Sequence, residues 1–326
     1  MNKLRVALIG AGGMGMCHYN AYKGIDDMKL VAVCDVRINE MKDNFKNDAD
    51  LHFYTDIDAL LNCEKLDVAD IVTPSYMHSD MVIKCLNKGL HVLSEKPMAL
   101  NYEDAKKMTE AAKIADRKFM VAHVVRFMKP YAYLRKELHN ADNGKLVRLD
   151  MKRISSIPRW SWENWMLDEN KSGGVGTDLS IHDVDFVLST LGEPDELSSF
   201  YRPLKDDSSV IISYFKYGDA LVSCEGTWYN AKTPFKAEYF AVFDNCYLSY
   251  ADGKLVKNDK EIDLDKADVD NNELGINVSG DEAYHNEIAY FINCVKNDIE
   301  PNFVTQASSA NAVAIMDVIK SKAKII

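Results

Sequence analysis

No stretch of this 326-residue chain is apolar for long enough to cross a bilayer, so a membrane-spanning helix is not expected. Cysteine is sparse and unpaired in pattern: seven residues, an odd number, with no C-x-x-C. Cys17, Cys34, Cys63, Cys85, Cys224, Cys246 and Cys294 fall mostly within apolar runs. That excludes a disulfide scaffold and reads as reduced core thiols rather than nucleophiles. Surplus positive charge is missing as well, with 39 Lys and Arg against 50 Asp and Glu and a net charge of −11. A general binder of phosphate backbones is thereby excluded, and no nucleic acid partner is expected, although a local pocket for one pyrophosphate stays allowed. Internal repeats, low-complexity tracts and long linkers are also absent. No signal-peptide pattern precedes the first strand, and the expected location is cytoplasmic. What remains is ordinary for a globular chain, 47% hydrophobic and 27% charged, at a length that suggests two domains.

The first 122 residues alternate short apolar strands with helical stretches. Strands are expected over 5–10, 30–35, 67–73, 90–94 and 119–123, and helices over 38–47, 77–88 and 102–115. This rhythm predicts a doubly wound parallel sheet of the Rossmann type over 1–122. Asn101 followed by Glu103 and Asp104 predicts a capped helix start. From residue 123 the pattern changes. Strands are expected over 145–154, 209–215, 220–227, 239–243, 246–250 and 254–257, several joined by tight turns, and helices over 178–190, 283–296 and 306–322. The expected class is therefore α/β: a Rossmann domain, then an α+β domain over 123–326 with a largely antiparallel open sheet that binds substrate and mediates oligomerisation.

The strand Val6-Ala7-Leu8-Ile9 runs into Gly10-Ala11-Gly12-Gly13-Met14-Gly15 and a helix. Gly10 makes the tight turn, Gly12 lets backbone approach a pyrophosphate, and Gly15 lets the helix pack against the strand. The helix N-terminus then faces the phosphates. Asp35 closes the next strand, 20 residues past Gly15. It would accept from a ribose 2′-hydroxyl and repel a 2′-phosphate, which favours NAD over NADP, while Arg37 keeps NADP use open. Thr73 and Pro74 end another strand, with His78 just beyond. His78 either reaches the nucleotide crevice or merely starts its helix. The expected cofactor contacts are Gly10, Gly12, Gly13, Met14, Gly15, Asp35, Arg37, Thr73, Pro74, His78, Glu95 and Lys96.

Lys96 follows the apolar run His91-Val92-Leu93-Ser94-Glu95, where a buried strand would deliver it to a site. In the second half, Ser172-Gly173-Gly174-Val175-Gly176-Thr177 leads into a helix carrying Asp178 and His182, four apart and so on one face. Hydride transfer from an alcohol needs a base for the hydroxyl proton and a charge to steady the developing alkoxide. His182 can be that base, Lys96 can polarise the oxygen, and Asp178 can orient a hydroxyl or the lysine. A metal site at His182, Asp183 and Asp185 is disfavoured, because neighbours 182 and 183 point different ways on a helix and no further histidine lies at ligand spacing. No metal is expected.

With these residues in hand, the chain resembles the glucose–fructose oxidoreductase / inositol dehydrogenase / rhizopine-catabolism (Gfo/Idh/MocA) family. The resemblance rests on Gly10-x-Gly12-x-x-Gly15, Thr73-Pro74 with His78, Glu95-Lys96-Pro97, Arg126-Phe127, Gly173-Gly174, Asp178-x-x-x-His182-x-x-Asp185 and Tyr284-x-x-Glu287, in order over nearly the whole chain. It implies NAD(P)-dependent redox chemistry on a sugar, cyclitol or related polyol, with Lys96, Asp178 and His182 as the catalytic trio. Two other readings stand beside it: a regulator that binds dinucleotide without catalysis, and a glycoside hydrolase that oxidises its substrate transiently. Three of the four tryptophans, Trp160, Trp162 and Trp165, precede the glycine run. Trp162 and Trp165 are expected to bind substrate by stacking, with Trp228 a weaker candidate. Arg126 is expected to bind substrate, or else cofactor, unless it pairs with a nearby acid. Tyr239, Ala241, Phe243, Tyr247 and Tyr250 are expected to give the second sheet an exposed apolar face that a homo-oligomer, dimer or tetramer, would bury.

Overall fold

The computed structural model describes residues 3–46, 48, 50–266 and 283–326. They divide into two compact units, one drawn from 1–124 and 271–310, the other from 125–270 and 311–326.

The first unit is built on β1 (Leu4–Ile9), α1 (Gly13–Ala21), β2 (Met28–Cys34), the short α2 (Ile38–Met41), β3 (His52–Tyr54), α3 (Ile57–Cys63), β4 (Val68–Ile71), α4 (His78–Asn87), β5 (His91–Glu95), α5 (Tyr102–Ala115) and β6 (Phe119–Ala122). The strands form one six-stranded sheet in the order β3-β2-β1-β4-β5-β6, and every described pairing in it is parallel. Order reverses between β1 and β4, so the carboxyl ends of those strands border the crevice where such sheets bind ligands. The central strands are buried at consecutive positions, as strands covered on both faces must be: Val6 to Ile9 are all apolar and buried, and Val68 to Ile71 are buried with Asp70 the one polar member. α5 starts as its sequence predicts, with the Asn101 side chain accepting from the Asp104 amide at 2.9 Å. The sequence pattern did not yield β3 or α3, which are too short to establish a period.

The second unit opens with α6 (Lys129–Leu138), β7 (Leu146–Ser156), the short α7 (Glu169–Ser172) and α8 (Ile181–Leu191). It continues through β8 (Glu196–Pro203), β9 (Ser209–Tyr217), β10 (Ala220–Tyr229), β11 (Lys236–Phe243), β12 (Tyr247–Ala251), β13 (Lys254–Lys257) and β14 (Lys260–Ile262). Later in the chain come α9 (Ala283–Lys296), α10 (Gln306–Lys322) and β15 (Lys324–Ile325). The nine-stranded sheet runs β14-β13-β12-β11-β7-β10-β9-β8-β15. It is antiparallel except where β7 meets β10 and β8 meets β15. One face is packed by helices: Tyr239 donates to Pro130 O of α6 at 2.8 Å, Arg153 pairs with Asp183 of α8, and Ser199 donates to Ile319 O of α10 at 2.7 Å.

Two expectations are corrected here. Tyr239, Ala241 and Phe243, expected on an exposed face, are 3%, 0% and 4% exposed. They pair with Met151, Leu149 and Leu146 of β7 on the helix-covered side, and Tyr250 stacks on Tyr239 at 5.5 Å. Residues two apart along a strand share a face, so Tyr239, Ala241 and Phe243 turn inward together, whereas Tyr247, paired with Val242, keeps to the opposite face. Phe240, 43% exposed, faces outward instead, with the Tyr247 ring 5.7 Å away. The second difference concerns α9, which groups with the first unit although the sequence reading ran one domain over 123–326. Its Tyr284 ring lies 6.0 Å from that of His18, and His285 Nδ1 meets Ala21 O at 2.8 Å, both on or next to α1.

Candidate active site

The glycine loop divides its labour as the motif demands. Gly10 has φ +100°, and a Cβ there would lie 2.4 Å from Val72 O. A Cβ on Gly15 would lie 2.1 Å from Gly10 O, so only glycine lets α1 start this close to β1. Gly12 and Gly13 have nothing within 4 Å of the Cβ position, leaving open space beside the first turn of α1. That is the space a pyrophosphate needs, so the loop fits a dinucleotide. Met14 is exposed beside it. Asp35 accepts from the Ala11 amide through Oδ2 and from the Arg37 amide through Oδ1, each at 2.8 Å. Each oxygen keeps a second lone pair for a ribose hydroxyl. The same carboxylate therefore also pins the loop.

At the ends of β4 and β5 the side chains serve one another. His78 is buried, with Nδ1 2.8 Å from Pro97 O and Nε2 2.9 Å from Thr73 O. Burial lowers its pKa, with the two carbonyls pulling the other way. A neutral ring has one N–H and can donate to only one carbonyl at a time. His78, expected among the cofactor contacts, thus faces backbone and braces the turn at Thr73-Pro74 against the one at Pro97. The Thr73 hydroxyl oxygen is buried without a hydrogen-bond partner. Glu95 is buried, and its Oε2 accepts from the Lys96 amide at 2.9 Å. Its Oε1 meets His18 Nε2 at 3.1 Å, and His18 Nδ1 meets Asp70 Oδ2 at 2.8 Å. Tyr22 donates to the same Asp70 oxygen at 2.6 Å. Burial alone would strip the proton from His18. The charges and hydrogen bonds of Asp70 and Glu95 outweigh it and hold the ring as a cation well above the usual 6.5. Sequence reasoning missed His18 and Asp70. The available signal was a histidine one turn past Gly15, on the side of α1 that must face the sheet.

In the second unit, Gly173 and Gly174 have φ +76° and +71°. A Cβ on Gly173 would lie 2.5 Å from Thr177 Cβ, and one on Gly174 3.3 Å from Glu169 Oε1. These glycines admit their own chain. The residues after them, Gly176–Ser180, form a π-type turn in which the Ile181 amide reaches back five residues to Gly176 O. The expected regular helix over 178–190 thus begins with a wider turn, a device common at functional sites. Gly226 of β10 makes room for it, since a Cβ there would lie 2.8 Å from Ser180 Cβ. Asp178 is buried on the wide turn and His182 is half-buried on α8. Both acids flanking His182 are engaged. Asp183 Oδ1 accepts from Arg153 Nε at 2.9 Å, and burial raises the Asp183 pKa against the pull of that arginine. Asp185 takes Arg126 in a forked pair at 2.9 and 2.6 Å, with both side chains buried. Of the alternatives for Arg126, pairing with a nearby acid is the one this geometry shows, and it offsets the cost of burying the guanidinium.

Both units match one oxidoreductase family. Residues 4–123 match an oxidoreductase family with an NAD-binding Rossmann fold, and residues 131–243 match the GFO/IDH/MocA C-terminal domain. The chain belongs to the Gfo/Idh/MocA family. It is 28% identical over 228 residues to a myo-inositol 2-dehydrogenase of Thermotoga maritima, covering 66% of this chain and 66% of that one. It is 29% identical over 192 residues to a D-glucoside 3-dehydrogenase of Escherichia coli, covering 59% of this chain and 55% of that one. The matched stretches thus span less than two thirds of those relatives' own length. A solved myo-inositol 2-dehydrogenase from Lactobacillus plantarum shares the fold at 22% identity and a TM-score of 0.81, over 99% of this chain and 97% of that one.

Within this Gfo/Idh/MocA chain the tryptophans sort by exposure. Trp160 is 77% exposed and Trp162 also lies at the surface, Trp165 is half-buried, and Trp228 is in the core. Trp162 and Trp165 bracket a kink at which Glu163 and Asn164 adopt left-handed φ of 50° and 53°. Two such non-glycine residues in a row carry strain that clusters at binding sites. The seven cysteines are free thiols; Cys34 and Cys85 are pushed by burial up to about 12, and Cys63 alone lies exposed, outside the expected core set.

Proposed function

We propose that this chain is a cytosolic NAD-dependent dehydrogenase that moves a hydride between the nicotinamide and a carbon bearing a hydroxyl, on a sugar, cyclitol or related polyol. The observation that carries the reading is Lys96. It stands at the carboxyl end of β5, the edge at which a parallel sheet of this family presents its cofactor, with its amide fixed by a buried carboxylate. Gly10, Gly12, Gly13 and Gly15 would hold the pyrophosphate, and Asp35 the adenosine ribose. When bound, the nicotinamide supplies the hydride acceptor. His182 takes the hydroxyl proton, Lys96 steadies the charge growing on oxygen, and Asp178 orients the hydroxyl. Trp162 and Trp165 offer rings to the apolar face of a sugar.

The test is a panel of polyols and keto-sugars, among them myo-inositol and methyl glucosides, followed by absorbance of reduced nicotinamide. Net NADH formation with one of them supports a dehydrogenase. Glycoside cleavage with NAD required but no net NADH would assign the transient-oxidation chemistry instead, and tight NAD binding with neither reaction would assign a regulator.

We also propose a homo-oligomer, dimer or tetramer, joined through the outward face of the nine-stranded sheet. Helices pack its other face, while Leu221 and Phe240 stand exposed on the outward one. A monomer by light scattering at micromolar concentration would count against it.

A further inference from the structure

We propose that His18 is a positioning residue: a buried imidazole on α1, held between two carboxylates, that locks Glu95 and through it sets the place of Lys96. The inference rests on the reading of Lys96 as a catalytic group. Glu95 divides its two oxygens, Oε1 to His18 and Oε2 to the Lys96 amide. With His18 in place the carboxylate cannot rotate without losing a partner at each end. Without it, Oε1 is left bare and buried, and a carboxylate that turns to find another partner for it loosens the hold of Oε2 on the lysine amide. His18 is in turn held by Asp70 of β4, whose Oδ2 also receives the Tyr22 hydroxyl. The chain of contacts therefore joins three elements: α1, β4 and β5.

α1 matters because its N-terminus is the glycine loop. Gly13 begins the helix and His18 lies on it five residues later. One rigid helix thus ends at the pyrophosphate seat and grips, through His18, the strand that carries Lys96. Cofactor seating and lysine placement share one element.

The charged and titratable groups around the ring are consistent with a cation. Asp70 and Glu95 face it directly, Tyr22 and Cys17 flank it on its own helix, and the Tyr284 ring approaches from α9. Glu287, buried on α9, adds negative charge that Cys17 senses together with His18 and Glu95. Burial pushes the Glu95 carboxyl up, but the hydrogen bond and charge of His18, with smaller help from Lys96 and His78, hold it below the usual range.

The test uses the full-length protein with its lysines ¹³C-dimethylated, the Lys96 resonance being assigned by its loss in Lys96→Arg. In His18→Gln the Lys96 resonance should shift or broaden while the other lysine signals stay in place. Turnover of whichever panel polyol reduces NAD fastest should fall about 10²-fold, the cost of a misplaced reacting group. NAD affinity by calorimetry should fall far less than turnover, since the Gly10–Gly15 loop and Asp35 keep their places. An unmoved Lys96 resonance in folded His18→Gln protein overturns the inference. If that variant does not fold, Glu95→Gln, which keeps the shape and removes the charge, is held to the same two outcomes. Full turnover in Lys96→Ala would sink the catalytic reading alone, and the resonance would still decide whether His18 positions the lysine.

Discussion

His18 lies on α1 and His182 on α8, each reached through a glycine-rich turn, one in each unit. His18 is wholly buried, with a carboxylate on either nitrogen. His182 is half-buried, and the acids beside it are turned away onto Arg126 and Arg153. The glycines differ in the same sense. Gly12 and Gly13 border open space, whereas Gly173 and Gly174 make room for Thr177 and Glu169 of their own chain. Similar residue types thus serve placement in one setting and access in another. A fully paired, buried ionisable group holds structure in position. A partly exposed one, on a helix whose other charges are neutralised, can exchange a proton.

The largest effect should come from removing the exposed member of the histidine pair. His182→Asn should lower turnover by about 10²–10⁴, the usual worth of a general base, with NAD affinity little changed. Turnover within about threefold of the parent, far short of such a contribution, would show that the base is another group, with Lys96 next in line. His182→Asn should also leave the Lys96 resonance in place, which separates its role from that of His18.

Next in size is the buried pair behind His182. Arg126→Ala takes the guanidinium away from the buried Asp185 carboxylate, and should cost about 3–5 kcal/mol in denaturant unfolding. Arg126→Met with Asp185→Leu should recover most of that loss, because apolar replacement of a whole buried pair is often neutral. If Arg126 instead served substrate, Arg126→Ala would raise KM and leave stability unchanged.

A smaller effect is the pH dependence of stability. His18 has a folded pKa above its unfolded value of about 6.5, so its contribution is complete below that pH and is lost as pH rises through the folded pKa. Glu95 has the opposite sign. Its folded pKa lies below the ordinary 4.5, so its contribution is present above that value and is lost as pH falls through the folded one. Thermal unfolding across pH should therefore place the network's greatest contribution between these limits. His18→Gln should flatten the alkaline side. An alkaline limb as steep as the parent's would mean that another group titrates there.

Much of the first unit was legible because its signals are local. Continuous apolar runs mark strands covered on both faces, and Gly10, Gly15 and the Asn101 cap each answer a backbone requirement at one position. The second sheet was legible in kind but not in phase, because the apolar residues of 239–250 lie on both of its faces, and only pairing with β7 decides which side is inside. The wide turn at Gly176–Ser180 could not be read from its own residues, since it depends on Gly226 of a strand far along the chain. For His18 the local signal, one turn past Gly15, says only that the ring faces the sheet. Its meaning comes from Asp70 and Glu95, 52 and 77 residues away. The same holds for Arg126 and Asp185, where only proximity chose between substrate and partner.

The finest contrast is at Asp35, which the sequence read as a ribose contact and the structure also shows holding the loop. The parent should bind NAD more tightly than NADP, since a 2′-phosphate would meet a carboxylate. Asp35→Ser removes that repulsion and should narrow the ratio by about tenfold, or about 1.4 kcal/mol. It also weakens the hold on the Ala11 amide, now a charge-assisted bond at 2.8 Å. Affinity for both cofactors should therefore fall while their ratio closes. Calorimetric titration of each oxidised cofactor into both proteins distinguishes the two effects. Tighter binding of NADP by the parent would remove the discriminating role and leave Asp35 as a loop anchor only, with Arg37 the residue to test next.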